Sequence, residues 1–229
     1  IIVATSGDTG AAAISAIKDR KNLKIFVLHP ENKISEVQRK FMTTVNSSNV
    51  FNISLEANFD ECQQFVKLMF ADQKFSSSIN MSGVNSINWA RIMIQVVYYF
   101  FAYFQILQKN EKINFSVPTG NFGDIYAGFI AKKMGLPINK LIIATNSNDI
   151  LKRVIKTGIY KPDKVVQTVS PSMDIQVASN FERLLYNIVG QDDKKVHSFM
   201  KSLSEKGSFQ LNQYEIEDIK KDFESVKIS

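Results

Sequence analysis

The feature that most constrains the fold is a repeated order along the chain: a short β-branched run, a turn of small residues, then a stretch with helical periodicity. Residues 1–5 lead through Thr5-Ser6-Gly7-Asp8-Thr9-Gly10 into an Ala-rich helix expected at 11–20. Residues 24–29 read as the next strand and 35–45 as the next helix, with Ser35 as its N-cap. A third strand is expected at 50–54 and helices at 60–73 and 89–109. The cycle then repeats, with strands at 113–117 and 140–145 flanking a helix from about Asp124 to Met134, which Gly135 and Pro137 end. Strands separated by helices need crossover connections, so the pattern predicts an α/β fold with parallel-rich sheets covered by helices.

Beyond Thr145 the pattern turns mostly helical. Val196, Phe199, Met200 and Leu203 share one helical face, as do Ile216, Ile219, Phe223 and Val226. Residues 164–169 are the one further strand expected. Residues 110–112 form the expected seam between a first lobe, 1–109, and a second, 113–229. With 229 residues and 45% hydrophobic side chains, the chain can bury a sizeable core.

Composition narrows the chemistry. The net charge of +6 favours anionic ligands, but the lysines are dispersed and no basic stripe interleaves with aromatics, so no nucleic-acid partner is expected. Cys62 is the only cysteine and falls in the apolar helical set Cys62, Phe65, Val66, Met69 and Phe70, which predicts core packing and no disulfide. His29 and His197 belong to no ligand-spaced cluster, so no metal is expected. The longest apolar stretch, 92–107, contains Gln95 and Gln105 and is shorter than the roughly 20 residues of a membrane span. With no secretory pattern, a cytoplasmic protein without a membrane partner is expected. The chain opens in a β-rich run without an initiator Met, and sequence is expected to precede it.

Three motifs could carry chemistry. Ser6, Gly7, Asp8 and Thr9 stand between a strand and a helix N-terminus, where small residues let N–H groups approach a carboxylate or phosphate; an ordinary capped turn fits equally. Gly120, Asn121, Phe122 and Gly123 occupy a second such turn, in Pro118-Thr119-Gly120-Asn121-Phe122-Gly123-Asp124. It lacks the lysine of a nucleoside-triphosphate loop and the pattern of a dinucleotide fingerprint, so a compact phosphomonoester suits it better, with a structural turn as the alternative. Asn85, Ser86, Asn88 and Arg91 crowd the start of an apolar helix, where Arg91 could pair with a phosphate or simply with a surface carboxylate.

Together these motifs resemble the threonine synthase family, in its bacterial and fungal branch. The resemblance lies in ATSGDTG (4–10), VNSINWARI (84–92), VPTGNFGDIYAG (117–128), KKMGLPI (132–138), ATNSNDIL (144–151) and SPSMDIQVASNFERLLY (170–186). It implies the two-lobed fold-type II architecture of pyridoxal-phosphate enzymes, here incomplete at both ends, and pyridoxal 5'-phosphate as cofactor. By resemblance, Gly120, Asn121, Phe122 and Gly123 cradle the cofactor phosphate, and Ser6, Gly7, Asp8 and Thr9 face the substrate's amino-acid end. Asn85, Ser86, Asn88 and Arg91 would hold the phosphate of O-phosphohomoserine. The implied reaction converts O-phosphohomoserine and water to L-threonine and phosphate. The family's Schiff-base lysine is expected before residue 1, leaving no catalytic residue in this chain and a fragment inactive alone. A serine or threonine dehydratase is the alternative enzyme, which the Asn85–Arg91 motif disfavours, and a phosphate-binding relative without catalysis is the alternative outside enzymes.

Overall fold

The computed structural model describes residues 1–5, 7–85, 88–106 and 111–228, which form two compact units, Ile1–Asn88 and Trp89–Ser229. In the first, β1 (Ile2–Ala4), β2 (Ile25–Pro30) and β3 (Val50–Leu55) pair in parallel in that order. α1 (Asp8–Ile17) and α2 (Glu36–Thr43) make the two crossovers. Ser35 caps α2 as expected, its hydroxyl accepting from the Gln38 N–H at 3.2 Å.

Strand alternation decides what each face of this sheet buries. Val3, Ile25 and Val27 pack with Ile14, Ile17 and Met42 from α1 and α2. Ile2, Ala4 and Leu28 pack on the other face with Cys62 and Val66 of α3 (Phe59–Ala71). Cys62 is therefore a core thiol, and burial pushes its pKa up. The helix expected at 60–73 ends sooner, because the Asp72 carboxylate accepts from the Phe75 N–H at 3.0 Å and starts a separate helix, α4 (Gln73–Ser78). Along the free side of β1 the chain returns beside it: the Ile2 N–H donates to Ser82 O at 2.9 Å, and Ile2 forms a parallel bridge with Gly83.

The second unit starts with α5 (Trp89–Ile106), which lies N-terminal to the seam read from the sequence. β4 (Ile113–Pro118), α6 (Gly123–Lys133) and β5 (Ile138–Thr145) follow as a parallel crossover. α5 packs on α6, and the Tyr99 hydroxyl donates to Asp124 O at 2.9 Å. Then come α7 (Ile150–Thr157), β6 (Ile159–Tyr160), a 3-10 turn at Pro171–Met173, α8 (Phe181–Ile188), α9 (Asp193–Lys206), β7 (Phe209–Gln210) and α10 (Gln213–Asp222). β6 and β7 form a small antiparallel pair. β8 (Phe223–Lys227) closes the order β4-β5-β8, parallel throughout.

Two expectations fail here. Phe223 and Val226 are not on a helix: the chain leaves α10 at Asp222 and lays Phe223–Lys227 against the open edge of β5, and backbone pairing outweighs the helical spacing. Residues 164–169 are not a strand. Their backbone is satisfied by side chains instead, with the Val166 N–H donating to Asn148 Oδ1 at 2.9 Å and the Thr168 N–H to Asp174 Oδ2 at 2.9 Å. No helix among the described residues is long and apolar enough to cross a membrane.

Candidate functional site

The loop after β4 leaves the sheet at the C-terminal ends of parallel strands, where ligand sites of α/β folds gather. Its peptide groups can be followed one by one. The Thr119 N–H donates to Ala144 O at 2.8 Å, tying the loop to β5. Asn121 O accepts from the N–H and the side-chain amide of Asn180, at 3.0 and 3.2 Å. Phe122 O accepts from the Tyr126 N–H at 3.2 Å, the first turn of α6. Among the described residues, the N–H groups of Gly120, Asn121, Phe122 and Gly123 have no protein acceptor. Open donors before the positive end of a helix dipole form an anion site.

Phe122 is the N-cap, and its φ of 65° and ψ of 6° place it in the left-handed region. For a residue with a Cβ this costs about 1–2 kcal/mol. The ring offsets the strain by packing: Phe122 is 1% exposed and meets Phe181 edge-on at 5.4 Å and Phe223 at 5.6 Å. Strain retained inside an over-determined core is a recurrent mark of a functional loop.

A strap, residues 168–180, walls this loop. A Cβ on Gly120 would lie 2.8 Å from Ile175 Cδ1 and 3.3 Å from Ser172 O, so the strap would have to shift to admit any larger residue. Asp174 is the strap's anchor, accepting from Thr168 Oγ1 at 2.7 Å, Asn146 Nδ2 at 2.8 Å and Asn148 Nδ2 at 3.0 Å. The Asn121 side chain is also turned to the strap, with Ser179 Oγ donating to its Oδ1 at 3.3 Å. Asn121 can therefore serve a ligand through its backbone.

In the first unit the loop after β1 is built differently. Thr5 Oγ1 accepts from the N–H groups of Gly7 and Gly10, at 2.9 and 3.0 Å. Gly7 is the N-cap of α1 with φ 141°, and a Cβ there would fall 2.6 Å from the Gln38 side chain. Gln38 Nε2 donates to the Asp8 carboxylate at 2.8 Å. Ser6 lies outside the described residues, and Thr9 stands in the first turn of α1.

The third motif divides. Asn85 joins the loop after β1, since its side chain accepts from the Ala4 N–H at 3.2 Å and donates to Ala4 O at 2.7 Å, as a neighbouring strand would. Asn88 Nδ2 donates to Gly83 O at 3.0 Å. Ser86 lies outside the described residues. Arg91 belongs to the second unit, near Trp89, which meets Tyr126 edge-on at 6.4 Å and lies under the Arg183 guanidinium at 5.4 Å. Burial pulls the Arg91 pKa below the ordinary guanidinium value.

Sequence reasoning missed Thr5, Asn180 and Asp174. Thr5 was legible as the hydroxyl ending the first strand. Asn146 and Asn148 were legible as polar residues past the end of the strand at Thr145. Asn180 is 59 residues from its partner Asn121, and no local pattern signals that pairing.

Comparison with known proteins accords with this geometry. A family model described as "Pyridoxal-phosphate dependent enzyme" matches residues 1–211. The chain is similar to the threonine synthase of Pseudomonas aeruginosa, 48% identical over 229 residues, covering 100% of this chain and 49% of that protein. The threonine synthase of Saccharomyces cerevisiae is 48% identical over 241 residues, covering 100% of this chain and 47% of that one. The crystal structure of a pyridoxal-phosphate-bound threonine synthase from Brucella melitensis superposes with a TM-score of 0.88 at 51% identity, covering 99% of this chain and 49% of that chain. The chain thus spans about half the length of the curated relatives it matches. A strand-to-helix loop with open N–H donors, set in a parallel α/β unit and matched across nearly the whole chain, places it on one conclusion: the chain belongs to the pyridoxal-phosphate dependent enzyme family.

Proposed function

We propose that this chain supplies the cofactor-phosphate loop and a substrate-facing loop of a threonine synthase, which converts O-phosphohomoserine and water to L-threonine and phosphate. The observation that carries the reading is the loop of residues 120–123, whose N–H groups are open among the described residues while the carbonyls of Asn121 and Phe122 are held. Such a site fits the dianionic phosphate of pyridoxal 5'-phosphate: donors are present, and among the described residues no carboxylate is bonded to the loop's N–H groups. Gly120, Asn121, Phe122 and Gly123 would hold that phosphate through the backbone. When bound, the cofactor supplies electron withdrawal from the substrate carbon skeleton.

The remaining roles belong to the loop after β1 and to side chains. Gly7, Asp8 and Thr9, with Ser6, would face the substrate's amino-acid end, and Asn85 and Asn88 would set the course of the chain beside them. Arg91 would grip the substrate phosphate, because a guanidinium matches phosphate oxygens bidentately. Lys132 and Lys133 would not hold the cofactor. They end α6, and Lys132 lies ~14 Å from the helix start at ~1.5 Å per residue. Lys132 also pairs with Asp222 at 2.7 Å and donates to Asn139 O at 2.8 Å, while Lys133 lies over the Phe129 ring at 5.0 Å.

The test is an assay of the enzyme that carries this chain. O-phosphohomoserine should yield inorganic phosphate and threonine in equal amounts, and phosphate without threonine would refute the reading. Arg91→Leu should lower kcat/KM for O-phosphohomoserine by at least about tenfold more than for an unphosphorylated analogue. Equal losses on both substrates would make Arg91 structural.

A further inference from the structure

The hold on Asn121 O has a geometric consequence for the next peptide group. In a trans peptide the C=O of one residue and the N–H of the next point in opposite directions, and the described chain has no cis bond. Asn121 O points at Asn180, so the Phe122 N–H points away from it. Turning that peptide over would relieve the positive φ at Phe122, because a peptide flip changes φ of the following residue. It would also aim the Phe122 N–H at Asn180 and take it away from any anion on the loop's open side.

Asn180 holds the Asn121 carbonyl from two donors. It is 0% exposed and sits at the N-cap of α8. Its backbone N–H and its side-chain amide both donate to Asn121 O. Its Oδ1 accepts from Arg183 Nε at 2.9 Å. Because arginine only donates, this bond fixes which end of the amide faces Asn121.

We propose that Asn180 is a positioning residue for phosphate binding, holding the Asn121–Phe122 peptide so that the Phe122 N–H serves the cofactor phosphate. The inference rests on the reading of residues 120–123 as the phosphate loop. Asn180→Asp keeps the acceptor for Arg183 but sets an oxygen against Asn121 O, so it favours the flipped peptide. Asn180→Ala removes the side-chain donor, together with the acceptor for Arg183, and leaves the backbone donor.

The experiment measures the affinity of the cofactor-free enzyme that carries this chain for pyridoxal 5'-phosphate, pyridoxal and inorganic phosphate, with the thermal midpoint of each variant. The unmodified enzyme should prefer pyridoxal 5'-phosphate to pyridoxal. Asn180→Asp should lose on the order of tenfold in affinity for the phosphorylated ligand and Asn180→Ala less, with pyridoxal affinity unchanged in both. In the unmodified enzyme, the Phe122 amide resonance should move on adding pyridoxal 5'-phosphate or inorganic phosphate and stay fixed with pyridoxal. An enzyme without phosphate preference overturns the loop reading and the inference with it. A preference that both variants keep, or that falls together with pyridoxal affinity, leaves the loop reading standing and overturns the role of Asn180. If Asn180→Asp does not fold, Asn180→Ala and the Phe122 resonance decide, and a resonance unmoved by phosphate overturns the proposal.

Discussion

Two glycine-bearing loops, one in each unit, follow a parallel strand and open a helix, yet they dispose of their donors in opposite ways. After β1, the Thr5 hydroxyl takes the N–H groups of Gly7 and Gly10. After β4, Asn180 takes a carbonyl, and the N–H groups of Gly120 to Gly123 stay open among the described residues. Two turns that look alike in sequence thus differ in what they offer a ligand. The first presents a shaped backbone with the exposed carboxylate of Asp8, and the second presents donors for an anion.

The comparison is broken most severely by filling the second loop. Gly123→Val places a branched side chain at the first residue of α6, and affinity for pyridoxal 5'-phosphate should fall on the order of a hundredfold, the worth of one or two hydrogen bonds to a charged group. Fluorescence titration checks it, and unchanged affinity would remove the distinction between the loops.

The converse change is Thr5→Val, which keeps the side-chain shape and strands two buried N–H donors. It should cost about 2 kcal/mol or more in urea unfolding of the first unit and leave phosphate affinity alone. A stability loss below about 0.5 kcal/mol would mean that the loop finds other acceptors.

Gly120→Ala sharpens the contrast more gently. The new methyl would meet Ile175 Cδ1 at 2.8 Å and Ser172 O at 3.3 Å, so the strap must shift, at a cost of about 1–2 kcal/mol. Phosphate affinity should fall only a few-fold, since the donors remain. A full loss of binding would show that the strap wall contributes to the ligand site directly.

The smallest effect is a pH dependence at Asp124, in the first turn of α6. Burial raises its pKa above 3.8, against the lowering effect of the Tyr99 hydroxyl bond. The folded state therefore keeps the proton longer than the unfolded one, and stability falls as pH rises from about 3.8 through the folded value. Asp124→Asn should flatten that fall in thermal midpoints taken from pH ~3.5 to ~7. A slope equal to that of the unmodified chain would assign it to another group.

Much of this fold was legible because local signals and packing agree. The Ser35 cap, the parallel crossovers and the turn before α6 follow from residues adjacent in sequence. The failures share a cause: a hydrogen-bond partner, distant for β8 and Val166 and local for Asp72, outweighed the periodic pattern. Phe223 and Val226 keep a helical spacing, but the edge of β5 claims them. Residues 164–169 look β-rich, but Asn148 and Asp174 side chains satisfy their backbone. Asp72 reads as one more helical residue until its carboxylate caps α4. In the candidate site the glycines were legible, whereas Asn180 and the strap were not, because they arrive through tertiary packing.

The same distance shapes how the second unit assembles. β5 pairs with β4 across one short crossover, but its other edge waits for β8, with residues 146–222 between them. During synthesis that edge stays without β8 until residues 223–227 have left the ribosome, and closing so long a loop slows folding. A waiting parallel edge is also a template for pairing between chains. The intermediate most prone to aggregate is thus one in which α6 and β5 are formed and β8 is still absent.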